Sequence, residues 1–422
     1  MRRFTVRASR WRRSQFLLSL FVSAGSDSLA DEASAPAVKV TWPDIVRLVG
    51  QHPRLAAGKF QTDATRGAVK TAGAAPNPTL DGTVGHGRAQ TGDASRMEWG
   101  VTLTVPLGWI AQRGSKIAAA EAEVAVSTAE SAALRQDVLL QLKTLFWHLA
   151  YEQARGVSLA ALEAQTVKLA QTVKRRVEKG EARPVEATRV EIELEKVATE
   201  LESARSALSA RQATLSLWLG SSTGKTIVAV ADLSALPVVL DLDTARAKTQ
   251  ATHPAVAVAR ARMHALTAEL DTENLARVPA FSLAGFTANE LDRRAYGVGL
   301  AVTLPLWNWN GGGIAQAEAK LAAGRKQAEA TSLDLETTVI ETQVACQSSV
   351  LTAARLGRNM VPRSEAVALV MERTYQLGEA SLLEVIDSRR TLLDSKRLYL
   401  SALVQAQIDC TRLGVLVGEE LP

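Results

Sequence analysis

The sequence predicts a mainly α-helical fold with a small β part, made from a duplicated unit. Three observations predict it: landmarks that recur about 200 residues apart, two period-two stretches in each copy, and helical runs too long for a compact domain. The chain has 422 residues, of which 5% are aromatic. It lacks the run of about 18 apolar residues that a transmembrane helix needs. Two cysteines are too few for a disulfide scaffold or a cysteine zinc cluster.

The repeat comes first. His52-Pro53 recurs as His253-Pro254, and Pro78 as Pro279. Val105-Pro106-Leu107 answers to Leu304-Pro305-Leu306, and Ala120-Glu121-Ala122 to Ala317-Glu318-Ala319. Gly180-Glu181-Ala182 answers to Gly378-Glu379-Ala380, and Leu217-Trp218-Leu219-Gly220 to Val415-Leu416-Val417-Gly418. The expected organisation is a leader over 1–30, a first repeat over 31–220, a linker over 221–250, a second repeat over 251–418 and a tail over 419–422.

In each repeat an alanine-rich helix opens at the His-Pro pair. In the first it stops before Ala75-Pro76-Asn77-Pro78, where proline favours extended backbone. Strands are expected over about 79–88 and 97–106, and over about 279–288 and 295–305. Trp99, Val101, Leu103 and Val105 alternate with Gly100, Thr102 and Thr104. Tyr296, Val298, Leu300, Val302 and Leu304 alternate with Gly297, Gly299, Ala301 and Thr303. Such alternation marks a strand with one apolar face. Long antiparallel helical hairpins follow, over 112–218 and 312–416. In the first, Val138, Leu142, Leu145 and Leu149 keep a heptad rhythm, and glycine and proline punctuate Gly180 to Pro184. About 66 helical residues make roughly 100 Å.

The charge of +5 sits at the front. Residues 1–30 hold Arg2, Arg3, Arg7, Arg10, Arg12 and Arg13 against Asp27, then an apolar run from Phe16 to Val22 and small residues ending at Ala30. This is the pattern of a secretory signal peptide; an ordinary amphipathic helix is the plainer alternative. Beyond residue 30 acids and bases balance, so the basic charge does not predict nucleic-acid binding. The first cysteine is Cys346, which predicts no lipid anchor on an N-terminal cysteine.

Strands of about nine residues have the length of tilted bilayer-crossing strands. Trp109, Trp307 and Trp309 stand just past them, as aromatic girdles do. A soluble β-domain with one buried face is the alternative. Four strands cannot close a membrane barrel, because open edges are not tolerated in lipid. A membrane role demands an oligomer, and three copies give about twelve strands.

The run Tyr375-Gln-Leu-Gly378-Glu-Ala-Ser-Leu-Leu-Glu384-Val-Ile-Asp387 resembles the hairpin tip of the TolC-type outer-membrane efflux proteins. Residues 72–80 are similar to the segment entering the first strand in the CzcC-like metal-efflux branch. The resemblance spans nearly all of the chain after the leader. It implies a homotrimer with a 12-stranded outer-membrane barrel continuous with a periplasmic α-barrel. It also implies a periplasmic adaptor and an inner-membrane pump of the resistance-nodulation-division type. A periplasmic adaptor normally carries one hairpin flanked by β-rich domains, and a structural coiled coil does not need the paired strands.

Glu384 and Asp387 are three apart and share a helix face. From spacing alone a solvated face explains them equally well. The resemblance places an acidic constriction there, two stacked carboxylate rings that favour cations and whose mutual repulsion raises their pKa values. The resemblance also makes Glu186–Tyr375 a latch, and makes Gly180, Glu181, Gly378 and Glu379 adaptor-docking tips. Ala380 departs from the family, which often has a basic residue there. Cys346 and Cys410 each lie 32 residues from Gly378. They therefore stand level in a hairpin and are candidates for a periplasmic disulfide or for facing core thiols. His52 and His253 read as helix-start punctuation. His86, His148 and His264 have no zinc spacing. No catalytic residue, metal site or cofactor is predicted. The cargo, metal cation or other small molecule, is open.

Overall fold

The computed structural model describes residues 38–88, 95–220 and 226–418. The expected leader and tail lie outside the described residues. The first repeat contains β1 (Val38–Val40), α1 (Trp42–Leu48), a 3-10 turn (Val49–Gln51), α2 (Pro53–Gly73), β2 (Thr79–Arg88), β3 (Ser95–Pro106), α3 (Trp109–Glu178) and α4 (Pro184–Trp218). After β4 (Ile227–Ala229) come α5 (Leu242–Thr252), α6 (Pro254–Leu275), β5 (Ala280–Asn289), β6 (Arg294–Thr303) and α7 (Gly311–Arg355). A π turn (Leu356–Met360), α8 (Val361–Leu377) and α9 (Leu382–Leu416) complete the chain.

The duplication shows in matching local devices. His52 caps α2, its Nδ1 accepting from Arg54 N at 3.2 Å, and His253 caps α6 by accepting from Ala255 N at 3.2 Å. Each is followed by a proline that suits the first helical turn.

The four long strands form one antiparallel sheet in the order β2-β3-β5-β6, leaving β2 and β6 at its edges. Trp99, Val101, Leu103 and Val105 are all exposed, while Gly100, Thr102 and Thr104 opposite them are half-buried. Tyr296 and Val298 are more than four-fifths exposed, at 87% and 82%. Among the described residues the apolar face is thus exposed, unlike that of a soluble β-domain with one buried face. Phe286 breaks the alternation. It pairs with Gly297 and lies on the small-residue face, its ring against the glycine.

The segment expected as a plain linker is partly structured. Ile227–Ala229 pairs in parallel with Val38–Val40. Helix α5 crosses the expected boundary at 250, because Asp241 caps its start by accepting from Asp243 N and Thr244 N. It stops at His253, ahead of Pro254. The strand pair, α1 and the upper parts of α3 and α4 share one apolar cluster containing Trp42, Ile45, Leu142, Phe146, Leu149 and Leu215. Among the described residues the core continues as separate clusters along the helices, around Cys346 and Leu413, around Leu159 and Leu201, and at the tips around Tyr375. Helix α3 spans 70 residues, roughly 105 Å at 1.5 Å per residue, so no single core can serve it.

The second hairpin differs from the first. Pro362, in the first turn of α8, has no N–H to give to the carbonyl four residues back. The π turn over Leu356–Met360 takes up the break without ending the helix. Here Gly357 meets the ring of Tyr399 so closely that an added Cβ would lie 2.7 Å from it. Further up, Cys346 and Cys410 are joined, with Cα atoms 4.8 Å apart, inside the range a disulfide spans. The replacement Gly357→Ala is expected to cost about 1–3 kcal/mol by overpacking against Tyr399. The control Gly67→Ala, in open space on α2, should be neutral or stabilising by up to about 1 kcal/mol. Thermal unfolding of the two variants side by side checks this.

Candidate gate at the hairpin tips

Both hairpins turn on a glycine in the left-handed region, Gly180 at φ 75° and Gly378 at φ 85°. Side chains other than glycine rarely adopt that conformation. At the second tip Gly378 N donates to Tyr375 O at 3.1 Å and Glu379 N to Thr374 O at 2.9 Å, closing the end of α8. Helix α9 then opens with a reciprocal cap. Glu384 accepts from Ser381 N at 2.7 Å and from Ser381 Oγ at 2.8 Å, and Glu384 N donates to Ser381 Oγ at 3.4 Å.

The tips of the two hairpins lie against each other. Tyr375 is buried with Leu169, Val173, Val190, Leu382 and Val385. Ala380, where the family often has a basic residue, packs on the same cluster. The basic group comes instead from α3. The Arg176 guanidinium stacks 5.0 Å from the Tyr375 ring centre, and its Nη1 donates to Tyr375 O at 3.2 Å. Its Nε is 3.9 Å from Glu181. Sequence reasoning missed Arg176, because it stands 199 residues from its partner and within a run of similar charges.

The expected latch pair is in the same neighbourhood without a hydrogen bond between its members. The Tyr375 hydroxyl is buried with no hydrogen-bond partner, and Glu186 pairs with Arg183 at 3.5 Å. Burial raises the Tyr375 pKa, Arg176 opposes that, and the Glu186 charge reinforces it.

Glu384 and Asp387 both line a groove of about 620 Å³ between α8 and α9, shared with Met360, Ser388 and Thr391. Within one chain the hydrogen bonds from Ser381, its backbone N–H first, hold the Glu384 carboxyl below the ordinary range. Repulsion inside a ring of copies acts in the opposite direction. Among the described residues no group of three or more histidine, cysteine or acidic side chains is placed to hold a metal ion. Around the tips Leu377, Leu383 and Val185 are exposed at 75%, 60% and 51%, beside Gly180, Glu181, Gly378 and Glu379.

Losing Arg176 removes a hydrogen bond and a cation–π contact, together about 1–2 kcal/mol. Hydrogen exchange at the ends of α3 and α8 should therefore quicken about 5–30-fold in Arg176→Ala. Tyr375→Phe removes an unpartnered hydroxyl and should change exchange less than about threefold.

The chain matches the profile of the family described as outer membrane efflux protein over residues 45–221 and 246–419. The family is matched twice, in two stretches of similar length. It is 26% identical over 373 residues to the cobalt-zinc-cadmium resistance protein CzcC of Cupriavidus metallidurans, covering 87% of each chain. Its fold is similar to that of CusC, with a TM-score of 0.75 at 16% identity over 93% of this chain and 96% of that one. It is also similar to the MtrE outer membrane channel of Neisseria gonorrhoeae, with a TM-score of 0.74 at 14% identity over 89% and 88% of the respective chains. The exposed apolar sheet face, the paired hairpins and the duplicated match agree: the chain belongs to the outer membrane efflux protein family, whose members are transport ducts and not enzymes.

Proposed function

We propose that three copies of this chain form an exit duct in the outer membrane, with the helical hairpins reaching into the periplasm. The observation that carries this reading is the sheet β2-β3-β5-β6, with its apolar face outward and its end strands open. In lipid such a sheet must pair its edges with other copies, and three copies supply twelve strands, an even number within the known range. The exposed Trp307 and Trp309 suit the membrane–water boundary.

The cargo in this reading is a metal cation, supported by the resistance named for CzcC. The duct receives it from a resistance-nodulation-division pump through a periplasmic adaptor. The adaptor docks on Gly180, Glu181, Gly378 and Glu379 and on the exposed leucines next to them. Glu384 and Asp387 form carboxylate rings at the inner mouth. The latch runs through Arg176 and Tyr375, with Glu186 acting through its charge. No tight metal site is needed, since a duct conducts best past weak ones.

Three results test the reading. A deletion strain should lose tolerance to divalent metals and regain it from the intact chain, while the protein runs as a heat-sensitive trimer from outer membrane. Unchanged tolerance would remove the metal cargo. In planar bilayers, replacing both Glu384 and Asp387 with alanine should abolish block by trivalent cations. In the parent, block should fade only once the pH falls far enough to protonate Glu384, whose carboxyl the Ser381 hydrogen bonds hold below the ordinary carboxylate range. The Cys346–Cys410 bridge should form in the oxidising periplasm and staple α7 to α9. Peptide mapping without reduction should then recover the two cysteines linked, and alkylation of both thiols without prior reduction would refute it.

A further inference from the structure

The two hairpins enclose a cavity of about 570 Å³ bounded by α3, α4 and α9. Small-molecule sites span roughly 300–1,000 Å³. The cavity shares no lining residue with the groove that holds Glu384 and Asp387. Its apolar wall is regular. Ile386, Leu393 and Leu400 line it from α9 at intervals of seven residues, and Leu162 and Leu169 do the same from α3. Val190 and Val197 match them from α4. An interval of seven keeps helix residues on one face, so each helix gives the cavity one apolar stripe. From Ile386 to Leu400 the stripe runs roughly 21 Å, at about 1.5 Å per residue. The apolar space is therefore long and narrow.

Most of the remaining lining is charged, and unevenly so. Six arginine and lysine side chains stand against three acids. A metal cation, the cargo of the reading above, is repelled by this excess, and a neutral molecule leaves it unmatched. Arg155 is the lining residue of α3 farthest from the tip, and Arg397 stands towards the same end of α9. Arg155 meets Glu152 at 3.3 Å, and Arg397 meets Asp394 at 3.0 Å. A guanidinium has five N–H donors, so both arginines keep donors for a second anion. Planar guanidinium groups suit a carboxylate in particular.

We propose that this cavity is a binding site for an amphipathic organic anion with a slender aliphatic body and one carboxylate head. The body lies along the leucine and valine stripes, and the head is held at Arg155 and Arg397. The site goes beyond the duct reading and does not depend on it, because every lining side chain named here belongs to one chain.

The test follows hydrogen exchange in the full-length protein, held in nanodiscs of phosphatidylcholine, as dodecanoate is titrated in. Protection should rise and saturate in the cavity-lining stretches of α3, α4 and α9 and not in the sheet. Dodecanol, which has the same body without the charge, should need about tenfold more ligand for half-protection. Arg155→Gln and Arg397→Gln combined should remove that difference and leave the response to dodecanol as it was. Leu162→Trp fills the cavity and should abolish protection by both ligands. Leu393→Trp takes its place if unboiled gels show that the first filling fails to assemble. Equal response to acid and alcohol in the parent, a preference that survives the loss of both arginines, or protection undiminished by filling would overturn the site and leave the duct standing. A protein that never forms a trimer yet shows the arginine-dependent preference for dodecanoate would overturn the duct and leave the site.

Discussion

A four-stranded sheet with its apolar face outward leaves two demands unmet in a single chain. The end strands β2 and β6 each have a row of backbone donors and acceptors without a ladder partner. The outward side chains, from Trp99 to Val105 and from Tyr296 to Val302, are exposed among the described residues. Lipid meets the second demand only if neighbouring copies meet the first. The rest of the molecule follows from that closure. Strand β3 passes into α3 through two residues, Leu107 N donates to Phe281 O at 2.7 Å, and Gly108 lies too close to Ala280 for any larger residue. A helix joined so tightly to a strand inherits its position around the barrel, and so do the tips about 100 Å away.

That length changes how the chain is held together. A compact domain concentrates its apolar surface in one core, whereas a helix of 70 residues can bury only a narrow stripe along its length. The clusters along the hairpins follow from this. The upper ones are anchored, the first by β1, β4 and α1, the next by the joined cysteines. Towards the tips the apolar cluster around Tyr375 is joined by ionic contacts, of Arg176 with Glu181, of Arg389 with Glu372 and of Arg390 with Glu193.

Much of this was legible in the sequence, because each legible part has a local signature. The strands show as period two, the repeat as landmarks at constant spacing, and the turns as Gly180 and Gly378. The cysteines stand level because both lie 32 residues from the turning glycine. The parts that were not legible lack such a signature. Strands of three residues, such as Val38–Val40 and Ile227–Ala229, are too short to display a period. Arg176 and Arg390 sit among other charges on helices rich in them, and only the fold reveals which ones face a partner some 200 residues away. Glu384 was legible as an acid sharing a helix face with Asp387, and its cap with Ser381 also has a local signature, since Ser-x-x-Glu is a recognisable capping pattern.

The two repeats share a plan but no longer an equal build. The first hairpin is two unbroken helices, α3 and α4. The second carries a π turn forced by Pro362, a glycine pressed against Tyr399, and a covalent tie above both. A ring of six hairpins made by three chains therefore has three-fold and not six-fold symmetry in its mechanics. The extra features all fall on the hairpin that also carries Tyr375, Glu384 and Asp387. The tie at Cys346 and Cys410 joins α7 to α9 about midway between the sheet and the tip, and the π turn interrupts the α-helical ladder of hydrogen bonds below it.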